Sequence, residues 1–332
     1  KRRKLFRKIV TIMKKRKFEL SAWLTFENGK NRYESIADID EAIDFIIYYS
    51  DEMERNDGFV TRKLRSSDEQ NTSMMKPYGV WAVIAPFNFP AAILVGMSVG
   101  AVITGNTVII KPASDTPIIG YKIVEIMIEA GVPNGVINFV PGSGAEIGKT
   151  IIVSKEVAGI VFTGSREVGY RLMSESSKTK PRPVIAELGG KNATIVTDTA
   201  NLDIAAEGVA KAAFSFSGQK CSACSRVYVQ RNVKSQFLSR LVEKTKKLRV
   251  ENPKERESFV GPVINLNAYN NFKKYSKLAS NHGNILTGGS VLHSKEFRHG
   301  FYVEPTIVEG LPTRHPLVKK GLFVPILCIT EY

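Results

Sequence analysis

A chain of 332 residues, 43% hydrophobic and 24% charged, is long enough for one large or two ordinary domains, and its globular mix argues against a fibrous or disordered class. Three cysteines are too few for a secreted disulfide framework and point to a reduced, cytoplasmic setting. The formal charge of +15 raises nucleic acid or anionic lipid as partners, yet ten of the 47 basic residues crowd into the first 17 positions.

That opening stretch, KRRKLFRKIVTIMKKRK, interleaves Leu5, Phe6, Ile9, Val10, Ile12 and Met13 with its charges, and Phe18 follows. The spacing describes an amphipathic helix whose basic face is solvated, so no nucleic-acid partner is expected. The first residue is Lys, and the basic start lacks the apolar run and cleavage site of a signal peptide, so the chain is expected to begin inside a longer reading frame. Residues 1–30 and 36–56 read as two helices, the second carrying Ile39, Ile43, Ile46, Ile47 and Met53. Residues 58–76 are polar without a helical period and read as an extended arm or hairpin.

From position 78 the texture alternates. Val80–Ala85 and Thr107–Ile110 are β-branched runs, and between them Ala91 to Thr104 is almost wholly apolar. No charge falls between Lys76 and Lys111, but Pro86, Asn88, Pro90 and Gly105-Asn106 leave less than the roughly 20 residues that a bilayer requires. A buried helix between two strands is the better parse, with no membrane partner. Helix 115–130 ends at Gly131, and Val136–Val140, helix 143–153, strand Gly159–Phe162, helix 165–176 and strand Val184–Ala186 follow. Strands alternating with helices of this length give a parallel sheet covered on both faces, a doubly wound Rossmann-like α/β unit. Strand 193–197, helix 201–217, strand Val227–Val229, helix 233–248, helix 265–281 and short strands near 285 and 306 make a second α/β unit. The run Phe323 to Thr330 reads as a last strand without a closing element.

Several side chains in this frame are chemically suggestive. Cys221-Ser-Ala-Cys224 reads as a redox pair, half of a zinc site or two buried structural cysteines. A four-cysteine zinc site needs a second pair, which Cys328 alone does not supply, so no metal is expected. Ser217-Gly218-Gln219 before Cys221 reads as a flexible turn that exposes the thiol. Glu187, at the carboxyl end of a strand, faces the crevice where parallel sheets bind ligands, unless it is simply a surface carboxylate at a turn. Asn88, between two phenylalanines and two prolines, is either a buried amide needing partners or a turn cap. Ser165 caps a helix after Gly164 and would present free N–H groups to a pyrophosphate, though this is not the usual glycine fingerprint. Lys111 and Ser114 follow another strand and offer an ammonium and a hydroxyl. Asn192-Ala193-Thr194 matches a glycosylation sequon, a pattern too common to carry weight.

Taken together, PFNFP (86–90), KPAS (111–114), FTGSREVG (162–169), ELGGKN (187–192) and GQKCSACSR (218–226) resemble the aldehyde dehydrogenase superfamily across essentially the whole chain. Within it, GQKCSACSR, PYGVWAVIAPFNFP and LFVPILC are most similar to the Δ1-pyrroline-5-carboxylate branch, which oxidises glutamate γ-semialdehyde to glutamate in proline degradation. The resemblance implies that Cys221 attacks the aldehyde, that Asn88 and the Cys221 N–H hold the oxyanion, and that Glu187 is the base for hydrolysis of the thioester left after hydride transfer. It implies NAD as cofactor, with NADP open because Ser114 stands where a glutamate is common. Ala85, Pro86, Phe87, Lys111, Ser114, Gly144, Gly148, Gly164, Ser165, Leu188 and Phe323 would line its site. Phe89 and Ser222 would meet the substrate, Ser222 through a carboxylate. The implied division is N-terminal helices 1–57, an oligomerisation arm 58–77, a cofactor domain 78–192 and a catalytic domain 193–332 that ends early, in a protein expected to form a homo-oligomer. Gly321 departs from the family, which has a glutamate there that grips the nicotinamide ribose. That departure, with the early end, keeps a non-catalytic binding fragment as an alternative, beside a dehydrogenase for another semialdehyde such as succinate semialdehyde.

Overall fold

The computed structural model describes residues 1–66 and 69–332, without the side chains of residues 62–66, 70 and 179. The opening helix divides into α1 (Arg2–Lys15) and α2 (Lys17–Asn28), since Arg16 leaves helical geometry with φ −98° and ψ 13°. Phe6, Ile9 and Met13 are buried on α1, as the apolar spacing requires. The basic residues left outside include Arg3, which pairs with Glu54. Next comes α3 (Arg32–Arg55). β1 (Val60–Ser66) and β2 (Glu69–Met74) pair antiparallel. Residues 67 and 68 of the arm expected over 58–77 lie outside the described residues.

The chain divides into two compact units. Residues 1–27 and 35–188 form the first, and residues 28–34 and 189–332 the second.

In the first unit, β3 (Val80–Ile84), α4 (Ala92–Ile103), β4 (Thr107–Lys111), α5 (Pro117–Ala130), β5 (Ile137–Phe139), α6 (Glu146–Val153), β6 (Val157–Gly164), α7 (Arg166–Thr179) and β7 (Val184–Leu188) follow in turn. The sheet order is β5-β4-β3-β6-β7, and every pair is parallel. Alternation along β3 splits the core: Val83 faces the layer of α1, α4 and α5, while Ala82 faces Ile151 of α6 and Ile160. Both faces are thus covered, which is why these strands read as continuous apolar runs. α4 is 12 residues long, and among the described residues no helix is long and apolar enough to cross a membrane. Glu27 accepts hydrogen bonds from the N–H groups of Ile118 and Ile119, at 2.5 and 2.9 Å, and so caps α5, whose N-cap Thr116 makes no side-chain cap bond.

In the second unit, β8 (Asn192–Val196), α8 (Leu202–Phe214), β9 (Cys224–Val229), α9 (Lys234–Lys246), α10 (Leu266–His282), β10 (Asn284–Thr287), β11 (Thr306–Glu309), α11 (Pro316–Lys319) and β12 (Ile326–Glu331) build a sheet of order β10-β11-β12-β9-β8. Only the β10–β11 pair is antiparallel within it. Phe214 of α8 and Phe237 of α9 pack on one face with Val227, Val229 and Leu327. Phe272 of α10 packs on the other with Val308 and Cys328. Each fully buried phenylalanine contributes about 1.5–3 kcal/mol from area removed from water. Asn201 and Asn265 cap α8 and α10 through their side chains.

Candidate active site

In the first unit the candidate residues gather along one edge of the sheet. The ladder sets Ile84 opposite both Lys111 and Phe162, Thr163 opposite Glu187, and Gly164 opposite Leu188. All these strands run parallel, so their carboxyl ends meet there, and Ala85-Pro86-Phe87 leaves β3 at the same edge. Ala85 donates its N–H to the Lys111 carbonyl at 3.1 Å. Glu187 is exposed near the end of β7, whereas Asn88 is buried, 3% exposed, in the turn before α4. Phe89 begins the first turn of that helix, accepting from the Ile93 N–H at 3.1 Å.

Lys111 is 6% exposed, and its Nζ donates to the Pro112 carbonyl at 2.7 Å. Burial pushes its ammonium below the usual lysine range, with Asp115 opposing. Ser114 is exposed and donates to the Gly142 carbonyl at 3.3 Å. Gly144 is exposed and Gly148 lies within α6, and each leaves open space where a Cβ would stand. Ser165 caps α7, its Oγ accepting from the Val168 N–H at 3.3 Å. The neighbouring N–H groups and the positive helix end remain available to an anion.

In the second unit Cys221 is exposed, as is Ser222, while Cys224 and Cys328 are buried. Burial pushes the Cys224 thiol up, and a hydrogen bond with Thr194 Oγ1 at 3.2 Å only partly offsets this. Burial likewise raises Cys328. Both are therefore held as thiols, and the accessible sulfur is Cys221.

The turn before Cys221 is not the flexible link that its Ser-Gly-Gln sequence suggested. Phe216, Ser217 and Gly218 stand at φ +47°, +54° and +67°, three consecutive left-handed residues of which two carry side chains. A Cβ on Gly218 would also lie 2.9 Å from the Val324 carbonyl, so only glycine fits there. Ser217 and Gln219 are fully buried. Ser217 Oγ donates to the Gly261 carbonyl at 2.6 Å, Gln219 Oε1 accepts from the Ile264 N–H at 2.8 Å, and Gln219 Nε2 donates to the Phe216 carbonyl at 3.2 Å. Asn192 Nδ2 donates to the Cys221 carbonyl at 2.6 Å and the Ala223 carbonyl at 3.2 Å. The sequon asparagine thus serves as a brace for the turn. A small cavity of about 20 Å³ beside it is lined by Lys220, Cys224, Ser225, Gly190, Gly321 and Phe323, among others.

With this geometry in view, the comparisons with known proteins decide the family: the aldehyde dehydrogenase family model matches residues 1–332. The chain belongs to the aldehyde dehydrogenase family. It is 43% identical to 1-pyrroline-5-carboxylate dehydrogenase of Anoxybacillus flavithermus, over 98% of this chain and 63% of that protein. Among solved structures, 1-pyrroline-5-carboxylate dehydrogenase from Thermus with bound NAD superposes with a TM-score of 0.94 at 37% identity, over 99% of this chain and 64% of that one. Betaine aldehyde dehydrogenase of Staphylococcus aureus superposes with a TM-score of 0.95 at 29% identity. The chain spans 63% of the length of the curated relatives it matches.

For an aldehyde dehydrogenase, the conspicuous local feature is Gly321. A Cβ there would lie 2.7 Å from the Gly190 carbonyl, so any side chain forces the two loops apart. Sequence reasoning placed Gln219 in this turn without its locking hydrogen bonds, and missed Asn192, Lys220 and Glu34 as parts of it. A polar residue beside an exposed cysteine, as Gln219 is, offered a faint signal; Glu34, 186 positions from Lys220, offered none.

Proposed function

We propose that the full-length protein is a cytoplasmic, homo-oligomeric NAD-dependent dehydrogenase that oxidises glutamate γ-semialdehyde to glutamate. The observation that carries this reading is Cys221, the exposed cysteine on a rigid turn in a member of the aldehyde dehydrogenase family. In this reading the Cys221 thiolate attacks the aldehyde carbon, since hydride cannot leave until that carbon is tetrahedral. The Asn88 amide and the Cys221 N–H hold the oxyanion, and Glu187 deprotonates the water that releases the acid. Lys111, Ser114, Gly164 and Ser165 hold the dinucleotide, with Ala85, Pro86, Phe87, Gly144, Gly148, Leu188 and Phe323 shaping its cleft. A nicotinamide, when bound, supplies the hydride acceptor. The fit is chemical: a buried ammonium at one strand end and a helix N-terminus at another suit ribose oxygens and phosphate.

The likeness to 1-pyrroline-5-carboxylate dehydrogenases supports the substrate, with Ser222 taking its carboxylate and Phe89 walling the pocket. NAD is favoured over NADP by the NAD-bound relative from Thermus, Ser114 leaving room for either ribose. The β1–β2 hairpin, with exposed Met74 and Met75, is the arm that assembles copies. The experiment is initial rates of NADH formation with glutamate γ-semialdehyde and succinate semialdehyde. A kcat/KM at least about tenfold higher for the former, or about 1.4 kcal/mol, is expected. Preference for succinate semialdehyde overturns the substrate, and no turnover of either favours the binding-only alternative that Gly321 raises.

A further inference from the structure

Residues 28–34 belong to the unit that carries Cys221, although about 190 positions separate them in sequence. Lys30 is fully buried, with its ammonium 5.2 Å from the centre of the Phe216 ring, the first strained residue of the turn. Asn31 Nδ2 donates to the Phe259 carbonyl at 3.0 Å. Glu34 meets the residue next to the nucleophile: Lys220 Nζ donates to Glu34 Oε1 at 2.6 Å and to Ser215 Oγ at 3.0 Å. Both partners are largely withdrawn from water, their side chains 9% and 20% exposed. Glu34 Oε2 is buried with no hydrogen-bond partner among the described residues. A buried carboxylate left half-satisfied is tolerated only where its counter-charge is fixed beside it.

The position of that counter-charge matters chemically. A lysine adjacent in sequence to an exposed cysteine has the reach and flexibility to pair with the thiolate, which would bind the sulfur's charge and lower the intrinsic nucleophilicity of the thiolate formed. Ser215 can accept a hydrogen bond from the ammonium but cannot neutralise it.

We propose that Glu34 is a positioning residue for Cys221: its carboxylate anchors the Lys220 ammonium, ties the nucleophile turn to the 28–34 segment and keeps the cation off the thiolate. This rests on Cys221 being the nucleophile. The prediction is electrostatic as well as structural. Removing the Glu34 charge removes a neutralising partner from Lys220 and makes the surroundings of the sulfur more positive.

The test compares full-length wild type, Glu34→Gln and the double variant Glu34→Gln/Lys220→Met. Alkylation rates at Cys221 are read with neutral iodoacetamide and anionic iodoacetate by fragment-ion mass, which separates Cys221 from Cys224 on their shared peptide. In Glu34→Gln the iodoacetate-to-iodoacetamide rate ratio should rise about tenfold, the effect of one uncompensated charge close by. In the double variant it should return to the wild-type ratio. Should Glu34→Gln not fold, Glu34→Asp, which keeps the charge on a shorter arm, should give a smaller rise. A ratio within about twofold of wild type in a folded Glu34→Gln protein overturns the proposal, as does a raised ratio that persists without Lys220. The readout needs no turnover, so it stands apart from the catalytic reading, which fails instead if Cys221→Ala still turns over substrate.

Discussion

In the first unit the candidate residues stand where the strands of an all-parallel sheet end; in the second, the candidate nucleophile stands after a turn held in a conformation that two of its residues disfavour. Lys111, Gly164 and Leu188 reach their places through ladder register, and Ala85 through its N–H bond to the Lys111 carbonyl, all with backbones at rest. Cys221 reaches its place because Ser217, Gln219 and Asn192 together brace a backbone whose two non-glycine left-handed residues, Phe216 and Ser217, cost about 1–3 kcal/mol each. A site that must receive a large, many-contact dinucleotide can be built from topology. A site that must present one sulfur atom calls for over-determination.

The sharpest way to break this contrast is to remove the sulfur. Cys221→Ala should lower kcat/KM by roughly 10⁴-fold or more, as loss of a nucleophile does, while Cys224→Ala should stay within about threefold because that thiol is buried and protonated. Equal losses in the two variants would dissolve the distinction between them. Asn88→Ala comes next, with kcat lowered about 10²–10³-fold if its amide stabilises the oxyanion, read against an unchanged melting curve. A loss confined to stability would return Asn88 to the structural cap that the sequence also allowed.

Ser217→Ala probes the bracing itself. It leaves the Gly261 carbonyl without its donor and should cost about 1–3 kcal/mol in denaturant unfolding, together with a lower Cys221 alkylation rate. Stability lost with alkylation unchanged would mean that the strain is not used to aim the sulfur. The smallest effect is expected at a point remote from the turn. His315 Nδ1 accepts from the Leu317 N–H at 3.2 Å and caps α11, and its Nε2 lies 3.0 Å from His282 Nδ1. Burial, then His282, holds its pKa below the ordinary histidine value of 6.5. Between that lowered value and 6.5 the unfolded chain binds more protons than the folded one, so stability rises with pH across the window and falls on acidification. His315→Asn, which can still cap, should flatten that small slope in melting temperature.

The same contrast explains what was legible in the sequence. The β-branched runs at 80–85 and 107–110, and the glycine after 130, announce strands and a helix end, because local propensity and burial agree there. The cofactor edge follows from that alternation and the parallel-sheet rule. The opening stretch reads as one helix over 1–30, since its apolar stripe runs through Arg16 without a breaker residue. The turn before Cys221 reads as flexible because Ser-Gly-Gln is ordinary loop chemistry. What stiffens it arrives from Gly261, Ile264 and Asn192, well away in the chain. Glu34 lies further still, in the first turn of α3, and no spacing rule connects it to Lys220. Gly321 was flagged by comparison with the family pattern, but its close approach to the Gly190 carbonyl is a tertiary fact.

The most direct measurement is to catch the bond that the account requires. Full-length protein mixed with glutamate γ-semialdehyde and NAD, quenched in acid within the first turnover and digested, should carry the glutamyl thioester mass on the peptide containing Cys221. Fragment ions should place the adduct on Cys221 and leave Cys224, which shares that peptide, and Cys328 unmodified. An adduct on either of those cysteines, or steady turnover with no adduct on Cys221, would contradict it.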